Sequence, residues 1–253
     1  MKAKKVRIDV LLVQKGMIES RNRAQRLVMA GEVSVNGQLV HKPAELFDMD
    51  CDVIIANKPK YVSRGGLKLE KAIKAYQDIK VNNSICADIG ASTGGFTDCL
   101  LQNGANKVYA IDVGYGQIHQ KLRNHPHVVV MERVNIKDIT ELPEEIDITT
   151  IDVSFISLRQ VFPILKAWNT VKEMKVIALI KPQFEVGRRI AAAGKGVVRN
   201  EKHRKKAIQN IQHVASTMGF QIHDTCESPI KGPKGNIEYL LYLSYNPLLN
   251  NEG

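Results

Sequence analysis

Apolar residues change their period near residue 60. Before it, Ile8, Leu11 and Leu12 recur at helical spacing within Arg7 to Lys15, and Ala24, Leu27 and Val28 do so within Arg21 to Ala30. Ser20 stands where an N-cap belongs, and Gly31 where a helix ends in left-handed backbone. Val33 to Val40 brackets Asn36-Gly37, which predicts two strands around a tight turn. Asn57-Lys58-Pro59-Lys60 reads as a linker. Beyond it, Leu69, Ala72, Ile73 and Tyr76 predict the buried side of a helix beginning near Leu67. Short apolar runs follow at 84–87, 107–111, 128–131, 147–151, 176–180 and 239–243. Buried strands in that succession predict an α/β sheet. The expected organisation is a small α+β domain with its linker over 1–60, a larger α/β domain over 61–246, and a polar tail over 247–253 that frays.

The first of those runs empties into Asp88-Ile89-Gly90-Ala91-Ser92-Thr93-Gly94-Gly95-Phe96. A strand, a glycine-rich turn and a helix are how α/β sheets hold nucleotide-like ligands, because glycine lets the backbone approach where a Cβ would collide. The spacing departs from Gly-x-Gly-x-x-Gly, and a carboxylate at Asp88 suits a ligand with a cationic amino group better than a pyrophosphate. S-adenosylmethionine is the expected cofactor, with Asp88, Gly90, Ser92, Gly94 and Phe96 as candidate contacts. Asp112 ends the next strand pattern and is a candidate ribose ligand, or else a turn acid before Gly114. Asn135 and Asp138 meet the adenine edge or cap the next helix.

A net charge of +10 over 253 residues, with a pI near 9.4, points to a polyanionic partner. Through residue 30, eight lysines and arginines stand against two acids, and Arg23 and Arg26 fall opposite the apolar stripe, free to meet phosphates. Arg7, Arg21 and Arg64 join them as candidate RNA contacts. So do Arg188 and Arg189, within a basic stretch, 187–206, that reads as a flexible loop followed by a helix. The four cysteines form no Cys-x-x-Cys pair and no zinc-like group with histidine, so no metal is expected, and reduced thiols suit the cytoplasm. Neither a signal peptide nor an apolar run of about 20 residues is apparent, which argues against a membrane partner.

Asp152 and Lys181 each follow a strand pattern, and Glu238 precedes one, so all three are expected at the crevice along the strand ends. Ser20-Arg21, Ala24, Leu27-Val28, Gly31, Val35-Asn36-Gly37 and Lys42-Pro43 closely resemble the S-four-type RNA-binding module. Ser63 to Leu69, Asp88 to Phe96, Asp112 to Gln117, Asp152 to Ser157 and Lys181 to Gly187 resemble the TlyA family, whose catalytic part is similar to FtsJ-like ribose methyltransferases. Ala91-Ser92-Thr93 before the double glycine departs from the FtsJ form and follows the TlyA form. The resemblance implies a Rossmann-like S-adenosylmethionine-dependent methyltransferase sheet and 2′-O-methylation of cytidines in ribosomal RNA, free or in ribosomal subunits. It also implies a Lys-Asp-Lys-Glu tetrad, here Lys68, Asp152, Lys181 and Glu238. The competing readings are an RNA-binding protein whose methyltransferase fold no longer catalyses, and a membrane-active hemolysin. An NAD-dependent oxidoreductase is disfavoured by the glycine spacing.

Overall fold

The computed structural model describes residues 5–56 and 59–249. Asn57 and Lys58 of the expected linker, and residues 250–253 of the expected tail, lie outside the described residues. The chain divides into two compact units, 1–59 and 60–253.

The first unit contains β1 (Val6–Arg7), α1 (Ile8–Gln14), α2 (Arg21–Met29), β2 (Val33–Val35), β3 (Gln38–Val40), β4 (Leu46–Phe47) and β5 (Val53–Ile55). The helix expected from Arg7 starts one residue later, because Val6 and Arg7 pair with Phe47 and Leu46. Ser20 caps α2, its Oγ accepting the Arg23 N–H, and Gly31 follows the helix at φ +72°. Asn36 and Gly37 take φ +49° and +79°, the primed turn whose twist matches a hairpin, so β3, β2 and β5 form one antiparallel sheet. Ile8, Leu11, Leu12, Ala24, Val28 and Val33 are fully buried in a core drawn entirely from this unit.

The second unit opens with α3 (Gly65–Ala75) and β6 (Ile85–Ile89), then α4 (Gly95–Gln102), β7 (Lys107–Asp112), α5 (Gln120–Arg123) and β8 (Val128–Glu132). It continues with β9 (Ile148–Ile151), α6 (Phe162–Leu165), β10 (Met174–Ile180), α7 (Pro182–Glu185) and α8 (Arg188–Ala193). Last come α9 (Glu201–Thr217), β11 (Gln221–Glu227) and β12 (Tyr239–Tyr245). The seven strands lie in the order β11-β12-β10-β9-β6-β7-β8, parallel except where β12 pairs with β10 and β11. Apolar clusters cover both faces, one around Ile111, Ile151, Phe162 and Ile211, the other around Leu69, Leu100, Ile177 and Leu179. Each such side chain contributes on the order of 1.5–3 kcal/mol by leaving water. Strand order reverses between β6 and β9, and a crevice opens there at the carboxyl ends.

Four details differ from the sequence expectation. Helix α3 begins at Gly65, so Leu67 is an exposed residue of its first turn. Strand β6 runs through Asp88 to Ile89, placing that carboxylate within the sheet. The basic stretch after Gly187 contains α8, not only a loop. Pro247–Leu249 form a 3-10 turn where fraying was expected.

Candidate active site

The four residues of the expected tetrad come together at the crevice. Lys68 reaches it from the first turns of α3, Asp152 and Lys181 from the residues just after β9 and β10, and Glu238 from the residue before β12. Pro182 opens α7, so Lys181 stays extended at φ −108°, ψ 97°. The Lys68 ammonium lies 2.7 Å from Glu238 Oε2 and 3.7 Å from Asp152 Oδ2, and Lys181 Nζ lies 2.5 Å from Asp152 Oδ1. Asp152 thus bridges two buried amines. Lys181 also donates to Ser154 Oγ at 3.0 Å. Among the described residues the second oxygen of Glu238 has no hydrogen-bond partner; it points at Gly232, where a Cβ would lie 1.9 Å from it. A cavity of about 450 Å³ opens over Lys68, Asp152 and Lys181, bounded by Gly90, Phe96, Arg64 and Lys231.

A neighbouring cavity of about 450 Å³ lies toward β7. Gly90 forms its floor at φ +81°, and a Cβ there would lie 2.7 Å from the Asp152 carbonyl oxygen, so only glycine lets the turn pass the end of β9. Asp112 lines this cavity, its Oδ2 accepting the Ser92 N–H and its Oδ1 the Gly114 N–H, each at 2.7 Å. Each oxygen keeps a second lone pair for a ligand hydroxyl. Ser92 lines both cavities, Phe96 the tetrad cavity and Asn135 the β7 cavity. Asn135 also caps a 3-10 turn, its Oδ1 accepting the Lys137 N–H.

Three candidate cofactor contacts lie outside the lining of both cavities. Asp88 is fully buried and lines neither cavity; its carboxylate accepts the hydroxyls of Thr97 at 2.6 Å and Thr150 at 3.0 Å, and burial pushes it up to about 6. It braces the glycine turn from beneath. Gly94 caps α4 at φ +94°, where a Cβ would strike Leu122, so its demand is packing. Asp138 is exposed and lines neither cavity.

A third cavity, about 570 Å³, adjoins Lys181 on the other side. Phe155 is 92 % exposed, holds φ +66°, and faces Phe184 with ring centroids 5.2 Å apart. Left-handed backbone at a bulky residue costs on the order of 1–3 kcal/mol and needs a brace. Glu185 supplies it from α7, accepting the Ser157 hydroxyl at 2.6 Å and the Leu158 N–H at 3.0 Å, with burial raising its carboxyl above the usual range.

Among the arginines expected to meet RNA, Arg7 and Arg21 lie against the buried Asp9, with Gln25 as a third donor. The Arg7 guanidinium first of all holds that carboxyl far below the usual range. Arg23 pairs with Glu19, which corrects the expectation that it stands free; Arg26 is exposed. Arg64 rims the tetrad cavity, Arg188 begins α8, and Arg189 is exposed on it. Lys231 at the tetrad cavity and Lys234 at the aromatic one escaped the sequence reading, although Pro229, Gly232 and Gly235 mark their segment as a turn delivering Glu238. Ser154, Phe155 and Glu185 lay inside recognised motifs but were given no role.

The model of the FtsJ-like methyltransferase family matches residues 61–245, and that of the S4 domain residues 6–54. Fold and site together therefore define a methyltransferase of the FtsJ-like class with an amino-terminal S4 domain. The chain is 40% identical to the 16S/23S rRNA (cytidine-2′-O)-methyltransferase TlyA of Mycobacterium tuberculosis, over 95% of this chain and 90% of that one. It is 44% identical to hemolysin A of Brachyspira hyodysenteriae, over 94% and 99%. A solved structure from Streptococcus thermophilus, described as a hemolysin, matches with a TM-score of 0.73 at 43% identity, covering 96% of this chain and 89% of that one. The chain belongs to the TlyA, or hemolysin A, family.

Proposed function

We propose that the protein methylates the 2′-oxygen of cytidine ribose in ribosomal RNA, free or in ribosomal subunits, with S-adenosylmethionine as donor. One observation carries the reading: a Lys-Asp-Lys-Glu cluster, with both lysines and the glutamate buried, stands between a cavity lined by Gly90 and an aromatic one. The cofactor fits this chain because Gly90 and Ser92 line a cavity with Asp112 at the end of β7, whose carboxylate oxygens each keep a lone pair for a ligand hydroxyl. Gly90, Ser92, Asp112 and Asn135 would hold it, and when bound it supplies a sulfonium-activated methyl group.

A ribose hydroxyl is a weak nucleophile until its proton leaves. Lys181 Nζ takes that proton, and the charge formed on the oxygen is met by the Lys68 ammonium, already fixed in place by Glu238 and Asp152. Asp152 holds both amines, and Glu238 ties Lys68 to the substrate side. Phe155 offers an aromatic face to the target base, the usual way single-stranded RNA is received. Arg64 and Lys231 stand where the flanking phosphates would pass. Among the described residues no helix is long and apolar enough to cross a membrane. Work on ribosomal RNA would place the protein in the cytoplasm.

Mass-spectrometric mapping of ribose methylation in ribosomal RNA, from cells with and without this gene, tests the assignment; an identical pattern would refute it. In vitro, Lys181→Ala should lower single-turnover methylation by about 10²–10⁴ while cofactor and RNA affinity stay within about threefold. Lys181→Arg keeps the charge but does not accept a proton, so an inactive arginine variant supports the proton-acceptor role and an active one supports electrostatic stabilisation alone.

A further inference from the structure

Lys68 and Lys181 share Asp152 but differ in their second partner. Lys68 has two carboxylates, Glu238 and Asp152. Lys181 has one carboxylate oxygen at 2.5 Å and one neutral hydroxyl, Ser154 Oγ, at 3.0 Å. Ser154 lies two residues beyond Asp152, directly before the left-handed Phe155, and it lines all three cavities. The segment after it is fixed by Glu185, whose carboxylate holds Ser157 and Leu158 against α7, four residues after Lys181. The hydroxyl and the amine are therefore set at fixed spacing by two tied segments.

We propose that Ser154 is a positioning residue that aims the Lys181 amine. The inference rests on the methyltransferase reading above and deepens it. A neutral lysine amine has two N–H bonds and one lone pair in tetrahedral directions. With the nitrogen paired to Asp152 Oδ1 at 2.5 Å and one N–H donated to Ser154 Oγ, two of its directions are occupied and the lone pair is left to the open side of the cavity. That direction is available to the ribose hydroxyl whose proton Lys181 takes. Without the Ser154 hydroxyl the amine turns about its last bond, and the fraction aimed at the nucleophile drops.

Two measurements test this. Ser154→Ala should lower single-turnover methylation of ribosomal RNA about 10- to 100-fold, with KM for RNA and cofactor affinity within twofold. Ser154→Thr, which keeps the hydroxyl, should recover activity to within about threefold of wild type, whereas Ser154→Cys, similar in size with a weak acceptor, should stay near the alanine level. Trace acetylation of the protein without RNA, read by mass spectrometry, gives a signal independent of methylation: the Lys181-to-Lys68 labelling ratio should rise at least threefold in Ser154→Ala. Wild-type turnover in the alanine variant, or an unchanged labelling ratio, overturns the proposal while leaving the methyltransferase reading intact. A changed ratio in a protein that methylates no ribosomal RNA sustains the positioning of Lys181 and overturns the function instead.

Discussion

At the scale of single residues, charge type was legible in the sequence and surroundings were not. Asp152, Lys181 and Glu238 were placed correctly at the crevice because strand ends are visible as the limits of apolar runs. Asp88 was misplaced because the same run was ended too early, and its partners lie 9 and 62 residues away along the chain. Its environment makes a prediction. Burial holds the Asp88 carboxyl near 6, against 3.8 for an exposed one, so between those pH values the folded chain keeps a proton that the unfolded chain releases. Stability conferred at this position is thus present below about pH 4 and lost as pH rises through 6. Asp88→Asn has no proton to lose and can still bond both threonine hydroxyls. Its stability relative to wild type should improve by about 2–3 kcal/mol from pH 4 to pH 8 in denaturant titrations. An equal difference at both pH values would mean that the carboxylate is not desolvated.

At the scale of elements, the hairpin over Val33–Val40, the capped helix α2 and six of the seven strands of the large sheet, all but β11, followed from turn chemistry and apolar period. What stayed hidden were the segments without period, above all the turn between β11 and β12. Gly232 there accommodates a side chain from six residues on, since its missing Cβ leaves the space taken by Glu238 Oε1. Gly232→Ala should push that carboxylate off Lys68 without changing any member of the tetrad. Loss of a charge-assisted hydrogen bond contributes about 1.5–3 kcal/mol, so single-turnover methylation should fall about 10- to 100-fold. Calorimetry should show cofactor affinity unchanged, because Gly90 and Asp112 lie at the ends of other strands, β6 and β7. Full activity in this variant would remove Glu238 from the reaction.

At the scale of the whole molecule, the change of apolar period near residue 60 marked two units, and their cores confirm separate folding logic: the first draws only on residues 6–55, and the clusters of the second only on residues 61–245. The boundary itself is set by Lys60, which belongs with the catalytic unit, its ammonium 2.8 Å from Glu70 and its carbonyl accepting from Gln102. A chain starting at Lys60 should therefore fold with a single cooperative transition and bind cofactor as the full chain does. Methylation should suffer, because the removed unit carries the eight lysines and arginines that stand against two acids through residue 30. In the full chain the plot of log affinity for RNA against log salt should be steep, falling by about 0.7 per released counterion on single strands. The shortened chain, left with contacts such as Arg64, Lys231 and Arg189, should give a shallower line, and its methylation deficit relative to the full chain should be largest at low salt. Equal slopes for the two chains would show that the S4 domain adds no phosphate contacts, and that the arginines held by Asp9 and Glu19 serve its fold instead.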